Sequence, residues 1–295
     1  MKISIPSFIV CLVALLAAQM PQNATAQADK YPFRLWKDGK IVAQTTTPVD
    51  SIVMSVKPTP APKSQVLNEG GVGGTAPTAA QAIDMGLSVK WAPWNVGASK
   101  AEENGAYFAW GEINTKETYD WGTYYWMAEG KSNWMNINKY QIKDGQTYGY
   151  WYDNVGEFIG DGKSTLERED DAATANWGSG WRMPTMAELA ELMNEDNCTW
   201  TWVENYNDSD LNGYEVKSKT TAGLLFLPAA GDRWVSLLYN AGSRGLYWSS
   251  ELSSGYASDA RYLGFDSSRR YSGYSDGDCY RGYGFSVRAV AVSAE

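Results

Sequence analysis

From Ser253 to Tyr283 the chain reads SSGYASDARYLGFDSSRRYSGYSDGDCYRGY, and all but five of these residues are Tyr, Ser, Gly, Asp or Arg. Lys, Glu and Asn are missing from the stretch, although the rest of the chain uses all three. Tyr and Arg supply large contact area with directional hydrogen bonds, while Ser and Gly adapt around them, as in paratopes and interface hot spots. The chemistry this alphabet suits is recognition. The candidate ligand contacts are Tyr256, Asp259, Arg261, Tyr262, Asp266, Arg269, Arg270, Tyr271, Tyr274, Asp276, Asp278, Tyr280 and Arg281. Arg and Asp are equally frequent here, which suits a protein epitope or a sugar better than a polyanion.

Catalysis has fewer candidates. Histidine is absent from the whole chain, which removes Ser-His-Asp and Cys-His nucleophiles, His-built zinc sites and imidazole acid–base work. Glu112, Asp170 and Asp171 are acidic, and Asp208–Gly213 resembles part of a calcium loop without its closing Glu. A calcium site needs about six to eight converging oxygens, and none of these segments has that ligand spacing, so no cofactor is expected. Asp170 and Asp171 read equally as the start of a helix. Arg182 and Arg288 read as structural ion pairs, Arg288 against one of these acids. The cysteines beyond the N-terminal region, Cys198 and Cys279, can pair or stand apart.

These residues need a scaffold, and the segments around them suggest one. LSVKWAPWNVG, GAYFAWGE, TWTWVE, GLLFLPAAG, LYWSSEL, RYLGFDS and GFSVRAVAV are short and aromatic, and read as strands. In RYLGFDS, alternation predicts Leu263 and Phe265 inward, with Tyr262, Gly264 and Asp266 outward. PTMAELAELMNE reads as a helix capped by Thr185, and Lys100–Asn104 as a weaker one. The fold class is α+β, with small antiparallel sheets, about two helices and extensive loops.

The N-terminus carries one Lys, an apolar run from Phe8 to Ala18 and the small-residue signal Ala24-Thr25-Ala26, which predicts a signal peptide over 1–26 and export of the mature chain. Residues 29–57 read as a β-hairpin around Asp38-Gly39, 58–81 as a Pro/Gly/Thr linker, and 82–293 as one domain. The net charge of −9 argues against nucleic acid or anionic membrane as partner, and no later segment is apolar for long enough to insert in a membrane.

Taken in order, AIDMGLSVKWAPWNVGA, AYFAWGE, LEREDDAATANWG, GWRMPTMAELAEL, CTWTW, LFLPAAG, YWSS and GFSVRAV resemble the FISUMP family, the major paralogous domain type of exported bacterial proteins. The resemblance covers about residues 82–292 and implies a C-type-lectin-like fold. Trp94 stands where family members often carry Cys, and Thr174 where a His is common. Residues 253–283 also resemble the variable segment of C-type-lectin-like target proteins of diversity-generating retroelements, in which rewritten Asn codons scatter into Tyr, Ser, Asp, Gly, Arg and Cys.

The expected function is therefore an exported, non-enzymatic binding protein that presents this segment to a protein or glycan ligand. One rival is a structural or adhesive subunit of a surface assembly. Another is an enzyme related to formylglycine-generating enzymes, which share the broad fold but use a cysteine pair.

Overall fold

The computed structural model describes residues 64–143, 151–153, 156–272 and 279–292, together with the backbone of four short strands nearer the N-terminus. The chain divides into two units, 1–63 and 64–295. In the first, β1 (Lys2–Ser4) pairs parallel with β4 (Val53–Ser55), and β2 (Arg34–Lys37) pairs antiparallel with β3 (Lys40–Gln44). Lys37 stands opposite Lys40, the register that a two-residue Asp38-Gly39 connection requires. The rest of the expected signal peptide, 5–26, lies outside the described residues. No helix among the described residues is long and apolar enough to cross a membrane.

The second unit starts earlier than composition implies. Residues 64–81, expected as linker, are strapped onto the domain. Gln65 donates from Nε2 to the Gly111 carbonyl (2.8 Å) and accepts at Oε1 from the Ile113 amide (3.1 Å). The indoles of Trp94 and Trp181 donate to the carbonyls of Thr75 and Pro77 at 2.8 and 3.0 Å. A Pro/Gly/Thr segment has little apolar surface to bury, but its carbonyls satisfy indole donors that would otherwise go without partners.

The best helix signal holds. α2 (Met186–Met193) begins at Thr185, whose side chain accepts from the Glu188 amide while Glu188 accepts from the Thr185 amide, a reciprocal capping box. Leu189 and Leu192 are buried on its inner face. The second helix lies elsewhere: α1 (Ala172–Trp177), capped by the Asp171 side chain, whereas residues 100–104 form turns and loop. The short strand β5 (Trp181–Arg182) lies between the helices.

Three antiparallel strands, β6 (Cys198–Val203), β7 (Gly213–Ser218) and β8 (Leu224–Pro228), form one sheet. A short hairpin follows, β9 (Asp232–Trp234) with β10 (Leu237–Tyr239). The central sheet joins β11 (Arg244–Leu252) to β12 (Asp259–Asp266), and β12 in turn pairs with β13 (Arg270–Ser272) and β14 (Cys279–Tyr280). β15 (Val290–Ala291) closes against β5. LSVKWAPWNVG, GAYFAWGE and most of GFSVRAVAV, expected as strands, are irregular segments held by isolated bridges such as Phe108–Phe285 and Trp91–Val290. They pair with several different neighbours, a residue or two at a time, rather than in one continuous ladder, so aromatic composition alone overstates their regularity.

β12 lies between two buried clusters. Leu263 and Phe265 pack with α2 and the β6–β8 sheet, and Tyr262 packs with Trp248, Tyr271 and Phe285 on the other face. The expected outward face of this strand is therefore also covered. Two cross-strand glycines make room for rings: Gly245 opposite Phe265, and Gly264 opposite Tyr271. A Cβ at these positions would stand 2.0 and 2.2 Å from ring carbons. Gly264→Ala is expected to lower stability in urea unfolding by about 1–3 kcal/mol. Its effect should combine less than additively with Tyr271→Ala, which removes the clashing ring.

Candidate ligand-recognition surface

The thirteen sequence-predicted contacts separate into layers. Tyr256 and Tyr280 face solvent, 54% and 44% exposed. With Trp134, Ser258 and the half-buried Asp259 they line an open depression of about 300 Å³. Backbone bonds fix its floor: the Ser253 amide donates to the Asp259 carbonyl (2.9 Å) and the Arg281 amide to the Ser258 carbonyl (3.1 Å). The Ser258 hydroxyl donates to Asp259 Oδ1 at 2.6 Å.

Tyr262 and Tyr271 are 7% and 8% exposed, which corrects the expectation that they face outward. Their rings meet edge to face at 6.3 Å and form the inner wall of a second cleft, of about 230 Å³. Arg269 crosses the rim, exposed, with its guanidinium 5.0 Å from the Tyr271 ring centre. Asp266, half-buried, shapes the turn beside it by accepting from the hydroxyl and amide of Ser268 and the amide of Arg269. The Ser268 hydroxyl bond, chiefly, holds this carboxyl below the usual range.

Arg261 and Arg270 serve the scaffold. Arg261 bonds Glu251 at 3.1 Å. Arg270 bonds Glu195 at 2.7 Å and lies over Trp200 of the β6–β8 sheet. Tyr274, Asp276 and Asp278 lie outside the described residues.

Arg281 is the largest departure from expectation: it is 0% exposed. Its Nε donates to the Tyr124 hydroxyl (2.7 Å), Nη1 to the carbonyls of Tyr140 (2.7 Å) and Ala257 (3.1 Å), and Nη2 to the Lys139 carbonyl (2.6 Å). The guanidinium lies 5.2 Å from the ring centres of both Trp110 and Tyr124, a cation–π setting that offsets part of its desolvation. Burial pushes the Tyr124 phenol up, so it stays protonated beside the guanidinium.

The residues Arg281 grips are themselves held. Tyr140 adopts a left-handed backbone, φ 59°, unusual for an aromatic residue. Its hydroxyl donates to Asp170 at 2.5 Å, and Lys139 Nζ reaches the same carboxylate at 2.5 Å. Gln65 from the N-terminal strap donates to the other oxygen of Asp170 at 3.0 Å.

The remaining acids and cations are similarly occupied. Glu112 takes Lys116 and the Tyr125 amide, each at 2.8 Å. Asp171 accepts from the amides of Thr174 and Met183, and burial pushes its carboxyl up. Arg182 pairs with Glu188, as expected. Arg288 is buried and has no acidic partner among the described residues; it donates to Asn95 Oδ1 (2.8 Å) and to the carbonyls of Ala92 and Phe226. Burial lowers its pKa to about 10. Among the described residues no three Cys, Asp or Glu side chains converge to hold a metal ion. No disulfide joins Cys198 to Cys279; the two sit in different clusters, on opposite sides of β12.

Several lining residues were not expected from the sequence. Trp134 borders the depression, and Asp232, Arg244 and Tyr283 border the cleft. The hairpin GDRWVSLLYN has neither strand alternation nor a glycine in its turn, so nothing in its pattern pointed to a site. No known family model, curated protein or solved structure matches the chain.

The layering has a consequence for mutation. Arg281→Met strands three carbonyls and a phenol in the interior, and is expected to cost on the order of 3 kcal/mol or more in urea unfolding. Arg281→Lys should rescue little of this, because an ammonium cannot reproduce the planar fork. Tyr256→Ser and Tyr280→Ser, at exposed positions, should each shift stability by less than about 0.5 kcal/mol.

Proposed function

We propose that this chain is an exported, non-enzymatic recognition protein. Its domain is a C-type-lectin-like scaffold of the FISUMP type, and its 253–283 segment meets a protein or glycan ligand. The carrying observation is the pair of outward rings, Tyr256 and Tyr280, set on backbone that the buried Arg281 holds from beneath. Exposed aromatic rings on a fixed backbone contribute contact area with little ordering cost on binding. Small antiparallel sheets, the two α-helices among the described residues and long loops agree with the scaffold. The restricted alphabet of the segment supports diversification by a retroelement. On this reading the outward positions differ from copy to copy, while Gly264, Phe265 and Arg281 keep the fold.

Mechanism here means complementarity. Tyrosine faces pack on the ligand, Asp259 and Arg269 select its polar groups, and the paired strands β12 and β14 prevent the surface from collapsing when it is empty.

The mature protein should bind members of a glycan array or a displayed peptide library. The double variant Tyr256→Ser, Tyr280→Ser should lose about tenfold or more in affinity with an unchanged melting temperature. Undiminished binding by that variant contradicts the proposal. The diversification claim is tested in DNA: an adenine-rich near-copy of the coding sequence for 253–283, next to a reverse-transcriptase gene, is expected. Its absence removes that part of the reading.

A further inference from the structure

The β9–β10 hairpin lies outside the restricted segment, yet it carries the densest exposed apolar surface of the described chain. Of the eleven large apolar side chains exposed there, Trp234, Val235, Leu237, Leu238 and Tyr239 fall within six consecutive residues. Tyr256 and Tyr280 are two of the others. A run of ring contacts makes the patches one surface: Tyr280 to Tyr283 at 5.9 Å, Tyr283 to Trp234 at 5.9 Å, and Trp234 to Tyr239 at 6.1 Å.

The hairpin is held against backbone preference. Val235, at the turn, has φ 53°, a conformation that β-branched residues strongly disfavour. Paired amide–carbonyl bonds with Tyr119 (2.8 and 3.0 Å) fix it there, and similar bonds between Arg233 and Gly284 (2.8 and 2.9 Å) fix the strand behind it. Such strain persists only where surrounding structure enforces it. Here it leaves a branched apolar side chain 41% exposed.

The cleft beside the hairpin supplies charge. Arg244 lines it, half-buried, and its guanidinium makes no hydrogen bond or ion pair among the described residues. Asp232 also lines the cleft; its carboxylate accepts from Asn240 at 2.9 Å and lies within the field of Arg244 without bonding to it directly. Arg269 stands at the rim, ion-paired with Asp266 at 3.7 Å. A sugar could stack on the rings, but its small C–H faces would leave much of Val235, Leu237 and Leu238 uncovered. Branched aliphatic surface next to a guanidinium is complementary to a polypeptide that places an apolar side chain beside a carboxylate.

We propose that the hairpin, with Arg244 on its side of the adjoining cleft, forms the constant half of the recognition surface, facing the cleft wall that residues 253–283 supply. Its ligand is a protein segment whose aliphatic or aromatic side chains cover Trp234, Leu237 and Leu238, and whose Asp or Glu enters the cleft to meet Arg244. This inference rests on the recognition function above and selects a protein over a glycan.

The test uses the mature protein and a displayed random-peptide library, followed by affinity measurement on one enriched peptide and on its analogue with the acid replaced by the amide. Enriched peptides should pair a large apolar residue with Asp or Glu. Leu237→Ser with Leu238→Ser should weaken binding about tenfold or more. Arg244→Gln should weaken the acidic peptide by a similar factor and leave the amide analogue nearly unchanged. Val235→Gly should raise the melting temperature while weakening binding, a combination that a purely structural turn would not show. Several outcomes overturn the inference: no enriched peptide, enrichment without the acid–apolar pairing, or full affinity in the hairpin and Arg244 variants. Glycan binding lost in those same variants overturns it as well. If Tyr256→Ser with Tyr280→Ser abolishes binding while the hairpin variants keep it, the recognition function stands and this inference alone falls. If the tyrosine variant keeps full affinity, the broader function falls.

Discussion

Arg281 is withdrawn from solvent, and its donors are spent on three carbonyls and a phenol instead of a carboxylate. The carbonyls belong to Lys139 and Tyr140 on one loop and Ala257 on another, while Arg281 itself follows β14. One side chain thus ties Tyr124 and the 139–140 loop to the edge of the sheet where β12 meets β14. Taking a cation out of water costs several kcal/mol. The flanking faces of Trp110 and Tyr124 offset part of that, and the fixed fork of the guanidinium makes the geometry specific. The outward rings of Tyr280 and Tyr256 stand one residue from the groups so joined, so the surface takes its shape from the buried layer.

Arg288 does the same work seven positions further on. It grips Asn95, Ala92 and Phe226, again without an acid. Between the two arginines the chain makes single bridges to Phe108, Arg233 and Tyr247 in turn. The segment after the candidate site is therefore enclosed by the rest of the domain, anchored at each end by a buried cation. The 253–283 segment itself is divided between interior and surface: Tyr262 and Tyr271 fill space against Gly264 and Phe285, while Tyr256 and Tyr280 face solvent.

How much of this was legible depended on whether a local pattern carried the information. The capping box at Thr185 and Glu188 and the runs that became β6, β8, β11 and β12 were readable, because each is decided by neighbours in sequence. Local pattern could not show that β12 is buried on both faces, since alternation assumes one wet side. Nor could composition separate Arg281 from Arg269, one interior and one exposed; that distinction is made by Tyr124, Lys139 and Tyr140, more than a hundred residues away. The strap over 64–81 was read as linker because its contribution lies in backbone carbonyls and in Gln65 rather than in apolar side chains. α1 has six residues, too few for a periodicity to register, although its cap at Asp171 was visible. The β9–β10 hairpin escaped notice because an apolar run without alternation resembles core, and only coordinates show it standing in solvent.

The central claim is that the tyrosine-rich segment is layered, with its contacts outward and its clamp inward. Chemical footprinting of the native mature protein tests this directly: tyrosine nitration and arginine modification by phenylglyoxal, mapped by mass spectrometry. Rapid modification of Tyr256, Tyr280 and Arg269, with protection of Tyr262, Tyr271, Tyr124 and Arg281 until the chain is unfolded, is the predicted result. Modification of Arg281 or Tyr271 as fast as Tyr256 in the folded protein would contradict it.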